Sequence, residues 1–175
     1  MTEPIVQTVS GAVRGEWAGG AARFLGIPYA EPPFGELRFQ DPVPRRPWEG
    51  VRDAVAYGPT PQRKALAEIT TIPEPSIPGD DILTVNVFTP KPGDTTAALP
   101  VLFYIHGGGY VAGSPASPWY DGRSFSRDGV VTVTISYRLG FDGFGYIDGA
   151  PHNRGVRDWI AGLEWVQQNI AAFGG

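Results

Sequence analysis

Two apolar runs stand out in the pattern of hydrophobic and polar positions along the chain. Residues 101–105 (VLFYI) are apolar throughout, and most of residues 130–136 (VVTVTIS) are apolar and β-branched. Runs of this length predict β-strands that are buried on both faces, as in the middle of an α/β sheet. A third segment, residues 83–88, alternates moderately between apolar and polar side chains and predicts a further strand.

A helical pattern lies near the end of the chain. Apolar side chains recur there at helical spacing, at Val156, Trp159, Ile160, Leu163, Val166 and Ile170. The pattern predicts a helix over residues 156–170, with Asn153 placed to cap its start and glycines 174–175 providing a stop. Earlier in the chain, residues 5–28 consist of short apolar pieces broken by glycines, which predicts short strands.

Two stretches contain prolines too often for a helix interior or a central strand. We expect residues 28–61 to run over the surface, held in place by Phe34, Phe39 and Trp48. Residues 64–78 have a weak helical start followed by three prolines, and we interpret them as a loop. The carboxylates of Glu68 and Glu74 in this loop, and that of Asp94 further along the chain, are interpreted as solvated. No repeat or linker divides the chain, so one domain is predicted.

Composition supports a folded domain with many turns. The chain has 175 residues, of which 42% are hydrophobic and 12% aromatic, enough for one packed core. A net charge of −4 and a pI near 5.1 provide no electrostatic footprint for nucleic acid or an anionic membrane surface. The absence of cysteine excludes a disulfide framework, a thiolate nucleophile and a cysteine metal site. The start of the sequence has no signal-peptide pattern, so a cytoplasmic protein is predicted.

The sharpest chemical signal is the sequence His106-Gly107-Gly108-Gly109-Tyr110, which directly follows the apolar run 101–105. Consecutive glycines leave backbone N–H groups unobstructed and permit unusual dihedral angles. Such a loop can direct two N–H donors at a developing oxyanion, and lipases and esterases of the α/β-hydrolase fold use a glycine run in this way. The loop lacks the ending of a P-loop and the spacing of a dinucleotide fingerprint. A tight turn that merely requires glycine is the remaining alternative.

A series of sequence blocks occurs in order along almost the whole chain. They are residues 24–30 (FLGIPYA), 37–39 (LRF), 47–54 (PWEGVRDA), 80–87 (DDILTVNV), 106–110 (HGGGY), 136–140 (SYRLG) and 153–175. Together these blocks resemble the type B carboxylesterase family, which includes cholinesterases and bacterial para-nitrobenzyl esterases. The resemblance implies the N-terminal part of an α/β-hydrolase fold, whose central, mostly parallel sheet has an antiparallel start. Trp159 departs from the family pattern, where Gln is common.

The resemblance also implies a function, hydrolysis of a carboxylic ester by a Ser–acid–His triad through an acyl-enzyme, without a metal or organic cofactor. It assigns the oxyanion donors to the N–H groups of Gly108 and Gly109. Tyr110 and Trp119 either line the acyl or alcohol pocket or belong to the core. The expected small-molecule partner is an ester.

The triad itself is not found in the sequence. None of the seven serines has glycines at both −2 and +2, as the nucleophile elbow requires. His106 and His152 are interpreted as structural. We therefore expect residues 1–175 to be part of a longer enzyme, with the remaining part as their partner. The alternatives are a short non-catalytic homologue and a binding or adhesion module, although an intact glycine run favours an enzyme.

Two further expectations concern packing. The resemblance implies two buried ion pairs, Arg38 with Asp80 and Arg138 with Asp158; the alternative is that all four are surface charges. Apolar side chains of residues 101–105 or 130–135 should be exposed when residues 1–175 stand alone, because a strand that is apolar on both faces needs two covering layers.

Overall fold

The computed structural model describes residues 2–61 and 65–175, which form two β-sheets and three α-helices. The strands are β1 (Ile5–Gln7), β2 (Ala12–Arg14), β3 (Glu16–Ala18), β4 (Ala21–Pro28), β5 (Val51–Asp53), β6 (Thr84–Thr89), β7 (Val101–Ile105) and β8 (Val131–Ile135). The helices are α1 (Arg123–Arg127), α2 (Gly140–Phe144) and α3 (Arg154–Asn169), and short 3₁₀ helices lie at Gly35–Leu37, Pro118–Tyr120 and Ile170–Phe173. No helix in these two ranges is both long and apolar enough to cross a membrane.

The larger sheet has the strand order β3-β4-β6-β8-β7. Its first three pairings are antiparallel, and the pairing of β8 with β7 is parallel. The two parallel strands lie in register from Val101 opposite Val131 to Ile105 opposite Ile135. A smaller sheet, β1-β2-β5, lies at the start of the chain. The predicted antiparallel start of the sheet is therefore confirmed, and its parallel part begins at β8 and β7.

The proline-rich stretches are largely irregular, as predicted. After Pro28, the last residue of β4, the regular elements up to residue 61 are β5 and one 3₁₀ turn, with isolated bridges at Ala30, Pro44 and Val55. Phe34 and Trp48 pack against the hydrophobic core. Residues 65–78 form neither helix nor strand. The predicted loop began at Lys64, which lies outside the described residues.

The two apolar strands, β7 and β8, differ in how deeply they are buried. Every residue of β8 is buried, whereas Val101, Tyr104 and Ile105 of β7 are exposed by 36–37% of their surface. The prediction that both strands are buried on two faces is thus wrong for β7. The physical reason is position, because β7 is the edge strand of the sheet in the described part of the chain. The exposure on β7 confirms the separate expectation that one of these strands would show apolar side chains.

The final helix forms close to its predicted position but buries a different face. Asn153 is its N-cap residue in a left-handed conformation, with φ at 54°, and its side chain makes no capping bond. The buried positions are Arg154, Gly155, Asp158, Gly162, Trp165 and Asn169. Ile160 and Leu163 from the predicted apolar stripe are about half exposed. A Cβ at Gly162 would overlap the side chain of Ile135, so glycine lets α3 approach β8 closely.

One of the two expected ion pairs is present, and the prediction of the other is wrong. Arg138 and Asp158 form a buried pair, with Nη2 to Oδ1 at 2.6 Å and Nε to Oδ2 at 2.9 Å. Arg38 does not pair with Asp80, because the fold places the carboxylate of Asp142 in α2 beside the Arg38 guanidinium, at 3.0 Å. Asp80 is exposed. Its neighbour binds two arginines, since Asp81 lies 3.3 Å from both Arg45 and Arg52.

Candidate active site

The glycine loop, residues 106–113, begins where β7 ends. Gly108, Gly109, Tyr110 and Gly113 all have positive φ, at 128°, 60°, 67° and 101°. A Cβ on Gly108 would overlap the carbonyl oxygen of Ala112, and a Cβ on Gly113 would overlap that of Gly107. The tight fold of the loop therefore requires glycine at these two positions, for steric as well as dihedral reasons.

The loop leaves two backbone donors available. The carbonyl of Gly108 accepts hydrogen bonds from the N–H groups of Val111 and Ala112, at 3.2 and 3.0 Å. Within the described residues, the N–H groups of Gly108 and Gly109 themselves donate to no acceptor. Gly109 is exposed and Gly108 is half-buried, so a ligand oxygen can reach this part of the loop. Two adjacent N–H donors of this kind are what an oxyanion hole requires.

His106 is buried at the start of the loop and has a structural environment. Its Nδ1 lies 2.9 Å from the Gly107 carbonyl, which can only accept, so Nδ1 carries the proton. Its ring stacks on Tyr137 at 4.6 Å, and the Tyr137 hydroxyl donates to the His106 carbonyl at 2.7 Å. Burial raises the pKa of the Tyr137 phenol to about 12, so it remains a donor at neutral pH. The other histidine, His152, is exposed and stacks on Tyr146.

A cleft of about 480 Å³ opens beside the glycine loop. Gly107, Gly108, Gly113 and Ser114 form one wall; the others are formed by Tyr104, Tyr120 and the irregular segment Leu66, Ala67, Ile69, Thr70, Thr71, Ile72, Pro73 and Glu74. Most of this lining is apolar, as is typical of a small-molecule site. Sequence reasoning missed this wall, because no local pattern indicates that residues 66–74 fold over a loop that begins 32 positions further along the chain.

Two tyrosines and a carboxylate provide the polar part of the cleft. The rings of Tyr104 and Tyr120 lie 4.9 Å apart. Burial raises the pKa of the Tyr120 phenol, and Tyr104 and Glu74 add to the shift. Glu74 is half-buried, so its interpretation as a solvated loop carboxylate is wrong. Glu74 is half-buried because the segment 66–74, to which it belongs, forms a wall of the cleft.

The structure separates the two predicted substrate-binding aromatics from this cleft. The ring of Tyr110 packs on Phe144 of α2, with centroids 4.7 Å apart. Trp119 is 61% exposed and lines a different surface groove with Asp121 and Arg123. Neither residue is among those that line the cleft at Gly107 and Gly108. Their role in substrate binding stays a prediction.

Comparison with known proteins agrees with this architecture. The sequence profile of the carboxylesterase family matches residues 2–175. The chain belongs to the carboxylesterase family. It is 42% identical to the para-nitrobenzyl esterase of Bacillus subtilis, over 100% of this chain and 36% of that protein. It is 43% identical to carboxylesterase 1D of Rattus norvegicus, over 98% of this chain and 33% of that protein.

Solved structures show the same relation. A PNB esterase superposes with a TM-score of 0.90 at 39% identity, over 99% of this chain and 36% of that chain. A carboxylesterase of Geobacillus stearothermophilus superposes with a TM-score of 0.86 at 40% identity, over 98% of this chain and 36% of that chain. The fold is therefore the N-terminal part of the α/β-hydrolase fold. The chain spans about a third of the length of these relatives.

No serine of the described chain has the surroundings of a nucleophile elbow. Ser114 lies closest to the cleft, but it is buried and its Oγ accepts the N–H of Ala116 in a turn, at 3.1 Å. Residues 2–61 and 65–175 also contain no cluster of His, Asp or Glu that could hold a metal ion. Of the machinery that this family implies, these residues supply the glycine loop and one side of a cleft.

Proposed function

We propose that this chain supplies the oxyanion-binding part of a serine-dependent carboxylic ester hydrolase. The observation that carries the proposal is the pair of N–H groups on Gly108 and Gly109, which have no acceptor within the described residues. Gly108 lines an apolar cleft, and Gly109 is the next residue along the loop and is exposed. Membership of the carboxylesterase family supports ester hydrolysis as the reaction class. The relatives are about three times as long, so the nucleophile and the rest of the triad would come from further residues of the same protein.

In the proposed reaction, a serine hydroxyl attacks the ester carbonyl carbon while a histidine takes its proton. The carbonyl π-electrons move to oxygen, and the N–H groups of Gly108 and Gly109 donate to the resulting oxyanion. An N–H of the residue after the serine would be the third donor. The tetrahedral intermediate collapses, the alcohol leaves with the proton from histidine, and water then hydrolyses the acyl-enzyme by the same route. No metal or organic cofactor takes part.

The cleft indicates the class of substrate. A volume of about 480 Å³ and walls of Leu66, Ile69 and Ile72 suit a small or medium-sized ester with an apolar acyl or alcohol group. Tyr104 and Tyr120 line the same cleft. We propose Tyr110 and Trp119 as substrate contacts only once further residues complete the pocket around them.

The deciding experiment measures hydrolysis of para-nitrophenyl butyrate by the full-length protein that contains this chain. We expect hydrolysis that a serine-directed organophosphate abolishes with one equivalent bound per chain. A folded full-length protein without such hydrolysis would overturn the proposal and support a binding or adhesion module instead.

A further inference from the structure

Aromatic rings contact the glycine loop on both sides of its three consecutive glycines, and we call the flanking residues His106 and Tyr110 the two ends of the glycine run. At the first end, the ring of His106 stacks on Tyr137 at 4.6 Å and an interplanar angle of 25°. The Tyr137 hydroxyl also holds the His106 carbonyl at 2.7 Å, which fixes the orientation of the peptide unit that precedes the three glycines. This contact involves two buried side chains, so it is shielded from competition by water.

At the second end, Tyr110 holds an unusual backbone conformation. Its φ of 67° is left-handed, a region that a residue with a side chain adopts at an energetic cost. Two contacts compensate for that cost. The Tyr110 carbonyl accepts the N–H of Gly140 at 2.7 Å, and the Tyr110 ring packs on Phe144 at 4.7 Å.

Trp159 of α3 connects the two ends. Its ring lies 6.2 Å from that of Tyr110 and 5.3 Å from that of Tyr137, the latter in an edge-to-face arrangement at 81°. Its indole N–H has no acceptor among the described residues, so Trp159 acts through ring contacts alone. We call the five side chains the aromatic clamp; they are His106, Tyr110, Tyr137, Phe144 and Trp159.

We propose that the aromatic clamp sets the direction of the Gly108 and Gly109 N–H groups, with Trp159 and Tyr137 as positioning residues for the oxyanion hole. The expected effect of the clamp on kcat rests on the proposed function. The Gly108 N–H belongs to the peptide unit whose carbonyl, on Gly107, lies 2.9 Å from His106 Nδ1. The Gly109 N–H belongs to the unit whose carbonyl, on Gly108, accepts from the two residues that follow Tyr110. The directions of both N–H groups therefore depend on how His106 and Tyr110 are anchored on either side of the glycines. Trp159 is the only clamp residue that contacts the anchors of both ends, Tyr110 and Tyr137, among the ring contacts of the described chain.

The test uses the full-length protein with the substitutions Trp159→Gln, Trp159→Phe and Tyr137→Phe. Glutamine suits a helix but removes the ring, whereas phenylalanine retains an aromatic contact. The matched control is Trp165→Phe on the same helix. Like that of half-buried Trp159, the indole N–H of buried Trp165 has no acceptor among the described residues, but the Trp165 ring contacts Phe173. The control should lower the melting temperature and leave kcat unchanged.

We expect Trp159→Gln to lower kcat about tenfold with less than about a twofold change in KM, because misdirected donors weaken transition-state binding more than substrate binding. Binding of a trifluoromethyl ketone, which forms an oxyanion on the enzyme, should weaken by a similar factor. Tyr137→Phe should act in the same direction, and Trp159→Phe should restore most of kcat. Organophosphate titration should count the same number of active sites in every variant.

Amide hydrogen exchange of the peptide covering residues 106–111 supplies a readout that does not depend on activity. Exchange should be faster in Trp159→Gln and Tyr137→Phe than in the wild type, and unchanged in Trp165→Phe. Unchanged exchange, or unchanged kcat in an active enzyme, would overturn the clamp. If the wild type itself shows no esterase activity, the proposed function fails, and the exchange measurement still decides the clamp.

Discussion

The parallel strands β7 and β8 lie side by side in register, but the residues that follow them differ in how their polar groups are paired. β8 leads into Tyr137 and Arg138, where the guanidinium of Arg138 is fully buried and bound to both carboxylate oxygens of Asp158. β7 leads into the glycine loop, where the N–H groups of Gly108 and Gly109 have no acceptor in the described chain. A buried charge must be paired, and here the pairing makes a rigid frame. Unpaired donors at a cleft are what a reacting ligand can use.

The same contrast holds for the side chains of the two strands. All five residues of β8 are buried, whereas Val101, Tyr104 and Ile105 of β7 are exposed. β8 lies between β6 and β7, whereas β7 has β8 as its one neighbour in the part of the chain that the structure describes. β8 therefore pairs on both sides within the described residues, and β7 pairs on one. Each prediction below tests one part of this difference.

The largest expected effect is complete loss of triad-dependent activity in residues 1–175 alone. The β7 side offers oxyanion donors but no elbow serine, and neither histidine is placed as a general base. Hydrolysis of para-nitrophenyl butyrate by the purified piece should equal the rate without protein, with the full-length protein as positive control. Organophosphate-sensitive hydrolysis by the piece would contradict this prediction.

Breaking the frame at the end of β8 should have the largest effect on stability. Asp158→Asn leaves the Arg138 guanidinium buried without a counter-charge, and we expect a loss of about 3–5 kcal/mol in the free energy of unfolding. The matched control is Asp41→Asn, which breaks an exposed ion pair with Arg157 on the same helix and should cost about 0–1 kcal/mol. Urea unfolding of both variants of the full-length protein measures the difference; equal losses would show that burial is not the cause.

At the end of β7, Gly109→Val should lower kcat by about 10²–10³, or roughly 3–4 kcal/mol of transition-state stabilisation. Valine disfavours a φ of 60° and would turn the N–H away from the oxyanion. Gly50→Val is the control, because Gly50 has a φ of 74° and no atom within 4 Å of a Cβ, but precedes β5 of the small sheet. A correctly folded Gly109→Val enzyme with normal kcat would remove this N–H from the proposed oxyanion hole.

The exposed face of β7 should make residues 1–175 self-associate when separated from the remaining protein. An edge strand with exposed apolar side chains is a template for pairing between chains. We expect Ile105→Lys to reduce association in sedimentation velocity, and Ile5→Lys, at an exposed position of β1, to have little effect. A monodisperse wild-type monomer with a sharp thermal transition would contradict the prediction.

The smallest expected effect concerns pH and the phenol of Tyr137. Burial raises its pKa to about 12 from an ordinary value of 10.0, so the folded state holds this proton more tightly than the unfolded state. The corresponding stability is fully present below pH 10 and is lost as the pH rises towards 12. Urea unfolding between pH 9 and about 11.5 should show a steeper decline for the wild type than for Tyr137→Phe. Parallel curves would show that this phenol does not contribute.

Local patterns in the sequence were sufficient for most elements of the fold. The bounds of β7 match the predicted strand, and β8 and α3 form within two residues of the predicted starts. These elements depend on side-chain periodicity within a short window, which a single sequence displays directly. The glycine loop was also predictable, because three consecutive glycines after a strand have few structural alternatives.

Contacts between distant segments could not be predicted in the same way. The partner of Arg38 is Asp142 rather than Asp80, and Glu74 lies against the cleft rather than in solvent. Both outcomes depend on how loops of unspecified conformation are placed by the rest of the molecule. The buried Arg138–Asp158 pair was expected only through a family resemblance, since nothing local distinguishes it from two surface charges.

The sequence by itself thus predicted the strands β6, β7 and β8, the final helix and the glycine loop. Tertiary structure alone decided that β7 lies at the edge of the sheet in the described residues, that residues 66–74 form a wall of the cleft, and that Trp159 contacts both Tyr110 and Tyr137. The physical reason is the distance along the chain over which each effect acts. Periodicity and glycine conformations act over a few residues, whereas burial, ion pairing and ring contacts depend on neighbours that lie tens of positions away along the chain.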